Sequence, residues 1–364
     1  MTSVRRWCVV ALVTVVVVGS PVLLRALPAG DSDLTAPELL ALVSESGDRS
    51  FSGYVETAGA LQIPSADRFD GVGALLGERN RLRVWWRDRE AWRVAVMRTA
   101  GEVDLVHTAG LTTEYDYEDA EATTTRDPDI RLPRSADLLP PEVARRLLTG
   151  VTGADVTRLP ARRVAGIAAP GLRLEGARER SSIGRVDLWA DPESGLPLRV
   201  EVSARGSSAP DFSTGFVEIT VATPAAADVE PRLTADVERS FDEVLDIADA
   251  VNQYAPIQAP DRAGGLARTS AARGAVGVYG DGLTQVIAIP LRDREADPLR
   301  EQVRATPGAE RVPGGDSVAI GPLGVFLGGD DGEGGWLVAG TVTGPVLVRA
   351  GQDLLRDAVF VGER

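Results

Sequence analysis

Alternation with a period of two recurs along the middle of this chain, and it limits the fold more than any other feature. "RLRVWWRD" sets Leu82, Val84 and Trp86 on one side of an extended strand and Arg83, Trp85 and Arg87 on the other. "AWRVAVMR" sets Trp92, Val94 and Val96 against Arg93, Ala95 and Met97. "EVDLVH" and "TEYDYED" follow, and after a gap "GLRLEGA", "GRVDLWA", "LPLRVEVSA" and "FVEITVA". Such spacing predicts antiparallel strands, with an apolar face against a core and an arginine-bearing face toward water. Trp85 and Trp86 then point to opposite faces and form no single aromatic platform.

Two stretches break the period. "DLTAPELLALVSES" reads as a helix capped by Thr35, with Pro37 in its first turn and Glu38 at the capping-box position. "SADLLPPEVARRLLTG" reads as a helix opened by Pro140-Pro141, carrying Val143, Leu147 and Leu148, and closed by Gly150. "WADPESGLPLRVEV" is a strand, a turn and a strand: Pro192 presets φ, Gly195 takes a left-handed conformation, and Asp191 accepts backbone N–H groups. The acids at its tip need no ligand.

The formal net charge is −14, which disfavours nucleic acid as a partner. All 39 basic residues are arginine. The single cysteine, Cys8, forms no intrachain disulfide, and one cysteine with one histidine excludes the usual zinc clusters. A Ser-His-Asp triad has only His107 to draw on, and in "EVDLVHTAG" that residue reads as structural or surface. No cofactor is expected, no metal site, and no enzymatic activity.

At the amino terminus, Arg5-Arg6 precede an apolar run from Trp7 to Leu24. As a helix the run spans roughly 27 Å at ~1.5 Å per residue, close to the ~30 Å hydrocarbon core of a bilayer. The flanking charges fit an N-in, C-out orientation. Residues 1–30 are therefore either a signal peptide or a membrane anchor. In both cases the body lies outside the cytoplasm, anchored to the cell membrane or secreted after cleavage.

"PAAADVEPRL" is a linker, and after it the organisation changes. Val237, Phe241, Val244, Leu245 and Ala248 have helical spacing. "VGVYGDGLTQVIAIPL" is a hairpin around Gly280-Asp281-Gly282, "DPLREQVR" a helix, "SVAIGPLGVFLGG" and "GWLVAGTVT" strands, and "PVLVRAGQDLLRDA" a closing helix. Three units are expected: 1–30, 31–225, and a smaller α+β domain over 226–364.

"DLWADPESGLPLRVEV" resembles the strand-turn-strand of the LolA/LppX lipoprotein-binding superfamily, and "SFSGYVE", "WRDREAWRV" and "GEVDLVHTAG" resemble RseB/MucB, its two-domain regulatory relatives. "VYGDGLTQVIAIPL" and "WLVAGTVTGPVLVRAGQDLL" resemble the RseB carboxy-terminal domain, with Thr341 in place of the usual acid. The resemblance covers most of residues 31–364. It implies an α+β fold: a half-open antiparallel β-barrel with helices plugging its concave side, followed by the smaller domain. It also implies an extracytoplasmic protein that senses lipid or lipopeptide and regulates a transmembrane partner such as an anti-sigma factor. A LolA-like carrier of lipid or lipoprotein is the alternative. An acyl chain would lie on Leu82, Val84, Trp86, Trp92, Val94, Val96, Leu105, Val186, Leu188, Val200 and Ile219. The same side chains otherwise form a core against the helices.

Two further stretches carry weaker chemistry. "YDYEDAE" clusters acids that read as a solvated strand-loop rather than an acid/base or cation pair. "GGDDGEGG" reads as a hairpin loop rather than a calcium repeat, and Gly280-Asp281-Gly282 lacks the Gly-Lys-Ser/Thr of a phosphate loop.

Overall fold

Alternation is realised as one long sheet. The computed structural model describes residues 29–61, 70–98, 101–175, 179–233, 236–269, 274–332 and 334–361. All but the last two residues of the segment expected as a signal peptide or anchor lie outside them. Among the described residues no helix is long and apolar enough to cross a membrane.

Twelve strands build the sheet: β1 Phe51–Gly59, β2 Arg79–Asp88, β3 Ala91–Met97, β4 Glu102–Thr108, β5 Leu111–Asp116, β6 Glu121–Arg126, β7 Val156–Val164, β8 Ile167–Glu175, β9 Ile183–Ala190, β10 Pro197–Ala204, β11 Phe212–Thr220 and β12 Glu238–Asp242. Their order is β12-β6-β5-β4-β3-β2-β1-β11-β10-β9-β8-β7. Within β1–β6 and within β7–β11 chain neighbours pair antiparallel, and β1 pairs with β11 to join these two meanders. The ends, β12 and β7, do not pair with each other, so the sheet stays open as a half-barrel.

Two helices close the apolar face. Helix α1, Ala36–Glu45, has the expected start: Glu38 N–H donates to the Thr35 hydroxyl, and the Glu38 carboxylate accepts the Thr35 N–H at 2.8 Å. Its Leu39, Leu40 and Val43 bury against Leu172, Leu174, Val186, Leu188 and Val200. A second helix, α2, spans Asp70–Gly77. After it comes α3, Pro140–Leu147, preceded by a 3-10 turn at Ser135–Leu138. It lies on β10 and β11, and Gly150 follows with φ +69°. The turn after β9 is as expected: Asp191 accepts from Glu193 and Ser194 backbone N–H groups, and Gly195 has φ +74°.

The remaining strands are β13 Ile257–Gln258, β14 Arg262–Ala263, β15 Leu266–Ala267, β16 Gly277–Asp281, β17 Thr284–Leu291, β18 Glu310–Val312, β19 Gly315–Ile320, β20 Leu323–Gly328, β21 Gly335–Gly340 and β22 Val359–Phe360. Six of them form a second sheet, β16-β17-β21-β20-β19-β18. Helix α4, Ile247–Tyr254, and helix α5, Asp293–Ala305, pack on one face; α6, Gly344–Asp357, packs on the other.

Three expectations are corrected. The helix expected from Val237 begins only at Ile247, where the Asp246 carboxylate caps the Ala248 and Asp249 N–H groups. Residues 238–242 instead take the open edge of β6, in parallel, with every residue exposed. The arginine face is also not wholly wet. Arg93 is 3% exposed, its guanidinium 2.5 Å from the Asp104 carboxylate and stacked on Trp85, which itself packs with Ala95 and Val229. The linker after β11 crosses this face, and Arg87 donates to the Pro224 carbonyl at 2.5 Å. Finally, the periodic reading passed over β7 and β6, where arginines and threonines dilute the apolar positions.

Candidate functional site

Strands β17, β20 and β21 are apolar at almost every position, so both faces of the second sheet need cover. α6 covers one face: Phe326, Trp336 and Val338 bury there against Leu347, Ala350 and Leu354. On the other face α4 and α5 cover only part. Ile287, Ile289, Val325, Leu337 and Ala339 continue past them as the floor of a cavity of about 900 Å³.

The opposite wall comes from the first sheet's side. It is the loop Asp127–Arg134 between β6 and the 3-10 turn, with Arg145 and Arg146 of α3, Thr149 just after it, and Val72 and Leu76 of α2. Pro128 and Pro133 keep this loop out of helix and ladder alike. The loop is tied at both ends, Asp127 N–H to the Gly110 carbonyl at 3.1 Å and Leu132 N–H to the Asp246 carboxylate at 2.8 Å. Ile130 is buried within the same cluster as Ile289 and Leu337. At the cavity's other end sits the β16–β17 hairpin. Gly282, φ +52°, brings its backbone so near the turn after α3 that a Cβ there would lie 2.7 Å from the Thr149 carbonyl oxygen.

Most of the charge lies on the first sheet's side, with Asp281 at the end of β16 facing it. Asp137 is buried, accepts from Arg131 at 2.6 and 3.1 Å, from the Arg134 N–H at 2.7 Å, and from Arg146. Burial alone pushes its carboxyl up; the Arg131 hydrogen bond and the Arg146 and Arg131 charges outweigh this and bring it down to about 2. Arg131 is held above the usual guanidinium range by Asp137, against the pull of its own burial. Arg134 is lowered, first by burial and then by the charge of Arg131.

Asp127 forms a second centre. Burial raises its carboxyl, but hydrogen bonds from His107 and Thr112 and the charge of Arg134 hold it well below the usual carboxylate range. Thr112 Oγ1 donates to it at 2.5 Å, and His107 Nδ1 lies 3.2 Å away. The cavity thus offers an oily floor with an ion-paired rim, a surface suited to an amphiphile.

The eleven expected lining residues lie elsewhere. Leu82, Val84, Trp86, Trp92, Val94 and Leu105 are buried in one cluster of the half-barrel, with Val96 and Ile219 half-buried beside them. Val186, Leu188 and Val200 are buried in another, against α1 and Leu138 and Ala144. None of the eleven borders the 900 Å³ cavity. Side chains of α1, the 3-10 turn and α3 pack directly on these clusters.

His107 is buried, its ring stacked 5.2 Å from Trp92, and so belongs to the structure rather than to the surface. The acids of "YDYEDAE" make a hairpin tip, where Asp116 accepts the Glu118 N–H at 2.9 Å. Sequence reasoning missed the cavity wall. The available signal was "DPDIRLPR" itself, an eight-residue loop in which Asp127 and Asp129 precede Arg131 and Arg134 and Pro128 and Pro133 sit one residue in from either end.

No protein-family model matches the chain, and no curated protein matches it. Among solved structures it is similar to a chain of the Pseudomonas aeruginosa MucA/MucB complex, at 17% identity and TM-score 0.48, over 87% of this chain and 96% of that one. It is similar to the Mycobacterium tuberculosis lipoprotein LppX at 16% identity and TM-score 0.27, over 52% of this chain and 94% of that one. A LolA-superfamily protein of Nitrosomonas europaea gives 13%, 0.22, 54% and 98% in the same order. The chain is thus similar in structure to MucB along most of its length, and to LolA-superfamily proteins along about half.

Proposed function

We propose that this chain is an extracytoplasmic binding protein, held at the cell membrane by its amino-terminal segment, that takes up an acyl chain of a lipid or lipopeptide and so regulates a transmembrane partner of the anti-sigma-factor kind. The observation that carries the reading is the cavity between the second sheet and the Asp127–Arg134 wall. Each methylene moved from water onto its floor contributes about 0.8 kcal/mol. Arg131, Arg145 and Arg146 stand at the rim, where an acidic head group would lie. A ligand there touches the second sheet and, at the same time, the loop and helices carried by the first, as a sensor that alters a partner's docking surface must.

A carrier is the second reading, and the contiguous apolar clusters of the half-barrel favour it. On that reading the acyl chain lies on the eleven lining residues, and α3 must move aside to admit it. A photoreactive fatty acid, cross-linked to the full chain and mapped by mass spectrometry, separates the two. Labels on 127–134, 287–289 and 337–339 are expected. Labels confined to 82–96 and 186–200 turn the reading to the carrier, and no specific label rejects both.

A further inference from the structure

The chain's one histidine joins the half-barrel interior to the cavity wall. The sheet register sets Phe51 opposite Trp86, Trp86 opposite Trp92, Trp92 opposite His107, His107 opposite Thr112, and Thr112 opposite Thr125. The first four rings stack in sequence, with centroids 5.9, 5.6 and 5.2 Å apart. The row ends on Asp127, the first residue of the wall. Thr112 Oγ1 lies 2.5 Å from one Asp127 oxygen, and His107 Nδ1 lies 3.2 Å from the other.

These contacts fix where the protons are. The Thr112 hydroxyl gives its one proton to Asp127, so it accepts rather than donates in its 3.1 Å contact with the imidazole. Nδ1 therefore carries hydrogen, and Nε2 is the nitrogen that takes up a second proton. The groups facing the ring are the Trp92 indole from β3, the Thr112 hydroxyl from β5, and the Asp127 carboxylate from the wall. Arg134 Nη2 stands behind Asp127 at 3.4 Å. With a neutral imidazole, Asp127 and Arg134 cancel. With an imidazolium the group gains one positive charge beside the cavity, and Asp127 gains an ion pair to the sheet.

We propose that His107 is a proton-operated latch: protonation turns its existing Nδ1 contact with Asp127 into an ion pair, tightens the Asp127–Arg134 wall on the aromatic row of the half-barrel and makes the cavity rim more positive, so an anionic amphiphile binds more tightly in acid. The affinity part rests on the ligand reading above; the ordering of the wall does not. Histidine is the side chain that changes charge between about pH 5 and 8, the range in which an extracytoplasmic protein meets changing acidity.

The test uses the full chain in dodecyl maltoside at pH 5.5 and 8.0. Hydrogen exchange of 127–134, corrected for chemical exchange, is expected to slow about three- to tenfold in acid. Affinity for dihexanoylphosphatidylglycerol is expected to rise by a similar factor, and that for dihexanoylphosphatidylcholine to stay level. His107→Gln removes both effects; if that variant does not fold, Asp127→Asn does the same. Unchanged exchange in the wild type, or a pH effect that persists in the variant, overturns the latch. If the phosphatidylglycerol binds at neither pH while the exchange effect is present, the ligand reading fails and the latch stands.

Discussion

Asp137 is the residue on which the cavity wall turns. Its carboxylate gathers Arg131, Arg146 and the Arg134 N–H, fixing the loop to α3. Its folded value of about 2 lies below the ~3.9 of an unfolded aspartate. It therefore contributes stability above pH ~4, on the order of 2 kcal/mol, lost as the pH falls from about 4 through 2. Asp137→Asn is expected to lower stability by about 2–4 kcal/mol at pH 7, because two arginines lose their partner. It is also expected to flatten the acid limb of the urea midpoint plotted against pH. A variant with an unchanged midpoint would mean that the wall is held by its prolines and Ile130 alone. None of this was legible in "DPDIRLPR": an acid and an arginine six residues apart meet only when a 3-10 turn folds one back on the other.

Elements were more legible than their environments. The capping box of α1, the proline start of α3 and the Asp191 turn follow from short-range chemistry, so a local reading reaches them. The strand at 238–242 was not legible, because its pairing with β6 is decided by an edge more than a hundred residues upstream. The turn adds a tertiary contact that sequence does not give. Gly195 lies so near α1 that a Cβ would sit 2.2 Å from the Leu42 carbonyl oxygen, and its φ is +74°. Gly195→Ala combines a left-handed conformation, costing ~1 kcal/mol or more, with backbone overlap. A loss of about 2–4 kcal/mol is expected in chemical denaturation, together with faster hydrogen exchange in α1. A loss under about 1 kcal/mol would show that α1 shifts freely over the β9–β10 hairpin.

At the scale of the molecule, the two sheets are joined by more than the linker. Ser182 N–H donates to the Thr341 carbonyl at 3.3 Å, Thr343 N–H to Arg180 at 2.8 Å, and the Ser181 hydroxyl to Leu283 at 2.5 Å. Leu283, at the tip of the β16–β17 hairpin, is 3% exposed and buries in the first sheet's cluster with Val156, Leu174 and Leu138. The second sheet thus inserts a side chain into the core of the first, and the cavity lies beside that insertion, bounded by Gly282 and Thr149. Leu283→Ala removes the insertion and leaves the hydrogen bonds. It is expected to cost about 2–4 kcal/mol, and to split a single thermal transition into two as the sheets melt separately. Cleavage by a protease in 221–233 is expected to rise in parallel. One unsplit transition, lowered by the same amount, would show that the backbone bonds suffice to hold the sheets together and that the leucine serves only the first core.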